Sequence, residues 1–201
     1  MNNKFIAVMA DSHNNVQRVE DAVRYCRDKH VSRIVHCGDF CEPECIAFFR
    51  DIPTRFAMGN NDLFRNTLIS TIASIGGEYY ILEGVFEWNS KLFYFAHGDY
   101  REEVCQAFRS QRYDFILCGH THKFLCMRFG RTIALNPGAL QQGSFCLINS
   151  WGNVCRVVNG LTSQVEVEVA PDEETLFSAV FDMTGRERAL VFGTDHSGTG
   201  S

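Results

Sequence analysis

No stretch of this 201-residue sequence approaches the roughly 20 apolar residues that a bilayer-spanning helix needs, so no membrane span is expected. The apolar run from Phe5 to Ala10 is too short for the core of a secretion signal and leads directly into charged residues. An excess of positive charge is also missing. Lys and Arg number 19 against 24 Asp and Glu, for a formal net charge of -5. A chain without a basic stripe is poorly suited to holding nucleic acid by its phosphates, so any phosphate chemistry must draw on a local positive site such as a bound metal. The nine cysteines include no CxxC pair. Most, such as Cys118 and Cys146, sit in apolar runs and read as reduced core thiols of a cytoplasmic protein. Cys37, Cys41 and Cys45 are evenly spaced, but Pro43 interrupts them, which argues against a cysteine metal cluster.

What is present is 45% hydrophobic residues, enough for a substantial core. The first 120 residues alternate strand and helix. Expected strands are Lys4 to Ala10, Ser32 to His36 and Thr54 to Met58, the first a continuous apolar run as befits a strand covered on both faces. Asn14 or Asn15 caps a helix carrying Val16, Val19, Val23 and Cys26 on one side,. A short helix is expected from Pro43 to Arg50, and a longer one from Asp62 to Ser74,. Further strands are expected over Glu78 to Leu82, Lys91 to Ala96 and Asp114 to Cys118, with a helix from Tyr100 to Ser110. The later chain is strand-rich: Lys123 to Phe129, Arg131 to Leu135, Ser144 to Asn149, Asn153 to Val158 and Gln164 to Ala170, with Asn136-Pro137-Gly138 in a turn,. Glu173 to Phe181 is a last helix. The fold class is therefore α/β, two mixed β-sheets packed as a sandwich with flanking helices. Residues 1–170 form the body, 171–192 an extension and the Gly/Ser/Thr-rich 193–201 a flexible tail,. Phe177, Val180, Phe181 and the run Ala189 to Phe192 are apolar enough to pack on the body or on a second subunit, which leaves a homodimer open.

Five of the early strands finish in Asp, His or Asn: Asp11-Ser12-His13, Gly38-Asp39, Gly59-Asn60-Asn61-Asp62, His97-Gly98-Asp99 and Gly119-His120-Thr121-His122. In open α/β sheets, ligand sites gather beyond the carboxyl ends of the strands, and these side chains supply oxygen and imidazole ligands for manganese, iron, nickel or zinc. If the segments are extended, Asp11 and His13 share one side, as do His120 and His122. Asp39, with two oxygens, can bridge two ions. Each piece alone is weak, since a Gly-Asp after a strand is usually only a turn. Their joint order carries the signal. Around them, Phe40, Phe64, Tyr100 and Phe124 fall near strand ends and are candidates to line a cleft, whereas His36 reads as a packed histidine and Arg101 as a surface residue.

That order, over about residues 4 to 145, resembles the calcineurin-like metallophosphoesterase superfamily, in particular its small single-domain phosphodiesterase branch of bacteria and archaea. Asn136-Pro137-Gly138 is similar to the Asn-Pro-Gly-Ser segment of that branch, with Ala139 in place of Ser. The resemblance implies two divalent metal ions, manganese first, in a cytoplasmic enzyme acting on a small phosphate ester. One ion would take Asp11, His13, Asp39 and His122. The other would take Asp39, Asn60, His97 and His120. A hydroxide bridging the ions would attack phosphorus, most readily in a diester, with a phosphomonoesterase or a catalytically silent scaffold as the alternatives. Many relatives carry His after the metal-binding Asn. Here the residue is Asn61, which can donate a hydrogen bond to the phosphate but cannot deliver a proton. Asp99 stands where relatives often have another His.

Overall fold

The structure, a computed structural model, describes residues 4–184 and Glu187. The expected tail 193–201 and the apolar run 189–192 lie outside the described residues.

Strand β1 (Phe5–Met9) is continuously apolar because both its faces are covered. Its side chains alternate between two buried faces: Ile6 and Val8 enter one core, Ala7 and Met9 another. The chain continues through α1 (Val16–Asp28), β2 (Arg33–His36), β3 (Thr54–Ala57), α2 (Arg65–Ser74), β4 (Glu78–Tyr80), β5 (Glu83–Trp88), β6 (Lys91–Ala96), α3 (Arg101–Ser110) and β7 (Phe115–Leu117). It ends with β8 (Phe124–Phe129), β9 (Thr132–Pro137), β10 (Ser144–Asn149), β11 (Val154–Val158), β12 (Leu161–Gln164), β13 (Glu168–Val169) and α4 (Glu173–Val180). Seven strands make one sheet in the order β12-β11-β10-β1-β2-β3-β4, and six make the other in the order β13-β8-β9-β7-β6-β5. Both sheets are mixed. The run β1-β2-β3-β4 is parallel, as are β6-β7 and β7-β9, while the hairpins are antiparallel.

Three apolar layers hold this α/β/β/α stack together. Outside the first sheet, Val19, Val23 and Cys26 of α1 and Leu68 and Ile72 of α2 pack on Met9, Ile34 and Phe56. Between the sheets lie Ile6, Val8, Val35, Phe93, Phe95, Phe115, Leu135 and Ile148. Outside the second sheet, Val104 and Phe108 of α3 and Leu176, Phe177 and Val180 of α4 cover Tyr94, Ile116 and Ala134. The apolar face of α4 therefore packs on the body. All nine cysteines are free and seven are buried, as expected of core thiols. Cys37 and Cys45 enter different layers, so the evenly spaced trio does not converge.

The structure corrects several local expectations. The Pro43 segment is a 3-10 helix running to Asp51. Helix α2 starts at Arg65, not Asp62, because the Asp62 carboxylate is engaged by loop amides. Residues 83–88 form a strand that the sequence reading left out. Its Gly84 interrupts the apolar alternation, and the ring of Phe95 occupies the space a Cβ there would need, 2.2 Å away. Asn136 and Pro137 end β9 and are not in a turn. Of the expected strand from Gln164 to Ala170, only Gln164, the last residue of β12, and Glu168–Val169, which form β13, are strand, and they lie in different sheets. Between them Val165 and Val167 tuck against the inter-sheet core.

Candidate metal centre

The loops after β1, β2, β3, β6 and β7 meet at one end of the sandwich. Their backbone is not extended. Asp11, His13, Asn14, Asp39, Cys41, His120 and His122 all have φ between 40° and 70°, a left-handed region uncommon for non-glycine residues. This overturns the expectation that Asp11 and His13, or His120 and His122, share a side through extended geometry. Tight left-handed turns aim them together, at a cost of about 1–3 kcal/mol per residue. Backbone bonds hold the turns: Asp11 N–H donates to Gly38 O (3.0 Å) and His13 N–H to Asp39 O (3.0 Å). The Asp11 carboxylate accepts from His120 N–H at 3.0 Å. Gly59 lets the third loop close, because a Cβ there would lie 2.1 Å from Asp39 Oδ1.

Two groups of ligand atoms result. In the first, His13 Nε2 and His122 Nε2 are 3.0 Å apart, His122 Nε2 is 3.4 Å from Asp11 Oδ1, and Asp39 Oδ2 is 3.7 Å from His13 Nε2. In the second, His97 Nε2 is 3.0 Å from Asn60 Oδ1 and 3.4 Å from Asp39 Oδ2. His120 Nδ1 completes it, 3.1 Å from Asn60 Oδ1 and 3.3 Å from His97 Nε2. All seven expected ligand positions are thus brought together, and Asp39 Oδ2 belongs to both groups. Each group draws on loops of both sheets. Asp11, His13 and His122, and separately Asp11, Asp39 and His97, present ligand atoms within 4.8 Å of one another.

Such a set fits divalent cations. Imidazole nitrogens facing each other at 3.0 Å and 3.3 Å are acceptors turned on acceptors unless a proton or a cation lies between them. Burial pushes the Asp11 carboxyl up to about 7, with Asp39 adding to the rise and His97 opposing it. Burial also works against charge on Asp39, but hydrogen bonds from His97 and Asn61 hold it well below the ordinary carboxylate range. Burial alone would lower His97, yet Asp39 and then Asp11 raise it to about 9. Excess negative charge at buried carboxylates is what a bound cation neutralises.

Asn61 donates its Nδ2 to Asp39 Oδ2 (2.7 Å) and its backbone N–H to Oδ1 (2.9 Å). It therefore orients the shared carboxylate, and one amide N–H is left outside that bond. Two supporting residues had no role in the sequence reading. Asp62, buried, accepts from Gly59 N–H (2.7 Å), Asp39 N–H (3.0 Å) and Cys41 N–H (2.6 Å), tying the second and third loops together. Its place in the Gly-Asn-x-Asp motif was the available signal. Asn136 donates to Gly119 O (2.7 Å) and Thr121 Oγ1 (3.1 Å), bracing the His120–His122 turn. Of the expected cleft aromatics, Phe64 and Tyr100 are exposed, but Phe40 is fully buried. Phe124 is partly buried under the Arg156 guanidinium. Arg101 faces Glu187 and the ring of Phe181.

His36 is packed, as expected. It lies among Phe40, Phe49 and Phe56, with Nε2 on Ser12 Oγ at 3.2 Å and Nδ1 unpartnered. Burial lowers its pKa from 6.5 to about 3. The unfolded chain therefore takes up this proton first. Stability is full above about pH 6.5, falls as pH drops, and stops falling from this source near pH 3. Denaturant melts from pH 7 to pH 4 should show that slope, and His36→Phe should flatten it. An unchanged slope would rule the assignment out.

The family model of the calcineurin-like phosphoesterase superfamily domain matches residues 5–150. The chain belongs to that superfamily. It is accordingly a phosphoesterase, and the family implies divalent metal ions, for which candidate ligands are present. A phosphodiesterase of Methanocaldococcus jannaschii is 28% identical over 136 residues, spanning 66% of this chain and 82% of the relative. Among solved structures, an archaeal phosphodiesterase matches with a TM-score of 0.72 at 22% identity, over 77% of this chain and 99% of its own. Vacuolar protein sorting 29 from Cryptosporidium parvum matches with a TM-score of 0.59 at 17% identity, over 81% and 96%. The two structural likenesses establish the α/β sandwich. Among the described residues, no helix is long and apolar enough to cross a membrane.

Proposed function

We propose that this phosphoesterase hydrolyses phosphodiesters using two divalent cations, one held by Asp11, His13, Asp39 and His122, the other by Asp39, Asn60, His97 and His120. The observation that carries this reading is the position of Asp39 Oδ2, 3.7 Å from His13 Nε2 and 3.4 Å from His97 Nε2, common to both groups. The mixed nitrogen and oxygen donors suit manganese, with iron, nickel or zinc acceptable. Bound cations of this kind neutralise charge on the phosphate oxygens and bring a coordinated water to ionise near neutral pH. The chain's own residues set the rest. Asn61 orients the Asp39 carboxylate and offers its second amide N–H to a non-bridging phosphate oxygen. Residue 61 supplies no proton to the leaving group. Burial and then His97 lower the His120 pKa, and Asp99 is near enough to oppose them; its carboxylate disfavours a dianionic monoester more than a monoanionic diester. The relative's phosphodiesterase activity supports the choice of diester. Nine free thiols support a reducing setting, the cytoplasm in our reading,.

The test strips the protein of metal, re-adds manganese, and follows a chromogenic aryl phosphodiester beside the matching monoester. Manganese-dependent diester turnover, lost in His120→Ala, is the expected result. Preferential monoester turnover would replace the diester assignment. Two bound ions without turnover of either substrate would leave a metal-bearing scaffold.

A further inference from the structure

The two ligand groups differ in what stands behind their histidines. A histidine that offers Nε2 to a cation must carry its proton on Nδ1, and that N–H needs an acceptor to fix ring and tautomer. For His97 in the second group the acceptor is the backbone carbonyl of Cys37, 2.8 Å from Nδ1. In the first group both acceptors are side chains. The Gln141 carboxamide lies 3.4 Å from His122 Nδ1, and Cys41 Sγ lies 3.6 Å from His13 Nδ1. The amide nitrogen and oxygen of Gln141 exchange places on a half-turn of the carboxamide, so Oε1 can face the ring. Sulfur is the weaker acceptor.

Both residues are seated by the site's own loops. Gln141 N–H donates to Asp11 O (3.1 Å), and its carbonyl accepts from Asn15 Nδ2 (3.3 Å). Cys41 N–H is held by Asp62 Oδ1 (2.6 Å). Neither side chain belongs to the two ligand groups; each meets the ring nitrogen turned away from them.

We propose that Gln141, with Cys41 as a weaker companion, is the positioning pair of the first group, so that its ion depends on two replaceable side chains, whereas His97 of the second group rests on a backbone carbonyl. This rests on the two groups being ion sites. It makes the two ions unequal in a directed way: substitutions at 141 and 41 act on one ion and spare the other.

The test is calorimetric titration of the metal-free full chain with manganese, repeated with zinc, for wild type, Gln141→Leu, Gln141→Glu and Cys41→Ala. Thermal melts are run alongside. Gln141 is partly exposed, so Gln141→Leu should melt like wild type. Wild type should take up two ions. Gln141→Leu should weaken one by about 10–100-fold and leave the other within about threefold. Cys41→Ala should weaken the same ion by less, and Gln141→Glu, which restores an acceptor, should return wild-type affinity or better. Unchanged affinities in Gln141→Leu, equal weakening of both ions, or a Gln141→Glu as weak as Gln141→Leu would overturn the proposal. A wild type that takes up no ion would overturn the two-ion reading itself, which keeps the two failures apart.

Discussion

Asp39→Asn should lower diester turnover by on the order of 10³-fold, more than the loss of any ligand confined to one group. Its Oδ2 lies within 3.7 Å of His13 Nε2 and 3.4 Å of His97 Nε2. Removing its charge therefore weakens both ions at once, while Asn60→Ala or His122→Ala weakens one. Electrostatic help from cations amounts to several kcal/mol, and each 1.36 kcal/mol is tenfold in rate, which sets the scale. The carboxamide keeps the shape of the carboxylate but turns one N–H on an Asn61 donor, so thermal melts are run beside the kinetics to separate lost turnover from lost fold. Steady-state kinetics with metal analysis on the three variants decides the matter: Asp39→Asn within about tenfold of wild type would remove the bridging assignment.

The second large effect is on stability. Asp62→Ala in the metal-free protein should cost roughly 4 kcal/mol, because three amides, two of them in buried bonds, lose a charged acceptor,. For a chain of this size that is a fall in Tm of about 10–15 °C. Asp62→Asn should fall between, since one face of its amide presents N–H to N–H. The bonds concerned run to Gly59, Asp39 and Cys41. Working without metal separates this effect from lost ion binding. A Tm change under about 2 °C for Asp62→Ala would show that the amides find water instead.

Much of this was legible in the sequence because the early strands are buried on both faces and end in chemically distinctive residues. Ile6 to Met9 could hardly be anything but an interior strand, and the seven candidate ligand positions follow strands whose carboxyl ends converge. Edge strands carried less information. Strand β5 exposes Glu83, Val85 and Glu87 and has glycine at an inward position, so little of its pattern was apolar. Strand β12 is exposed throughout. At the site, residue types were readable but backbone was not. Left-handed turns at Asp11, His13, His120 and His122 depend on bonds between loops far apart in sequence. The same holds for Gln141, whose approach to His122 is made by a turn after β9 and has no local signature.

Because each ligand group draws on loops of both sheets, an ion bound there is also a cross-link between the two halves of the sandwich. Without ions, the loop end is joined by a few hydrogen bonds, such as His120 N–H to the Asp11 carboxylate and His97 Nδ1 to Cys37 O, and it is the natural place for the halves to part. Ion binding raises the cost of that parting by the binding free energy. Slow amide hydrogen exchange should therefore spread, on loading, from the strand centres to the loop ends of β3 and β7 together, so that the protein's folding cooperativity becomes a function of metal supply.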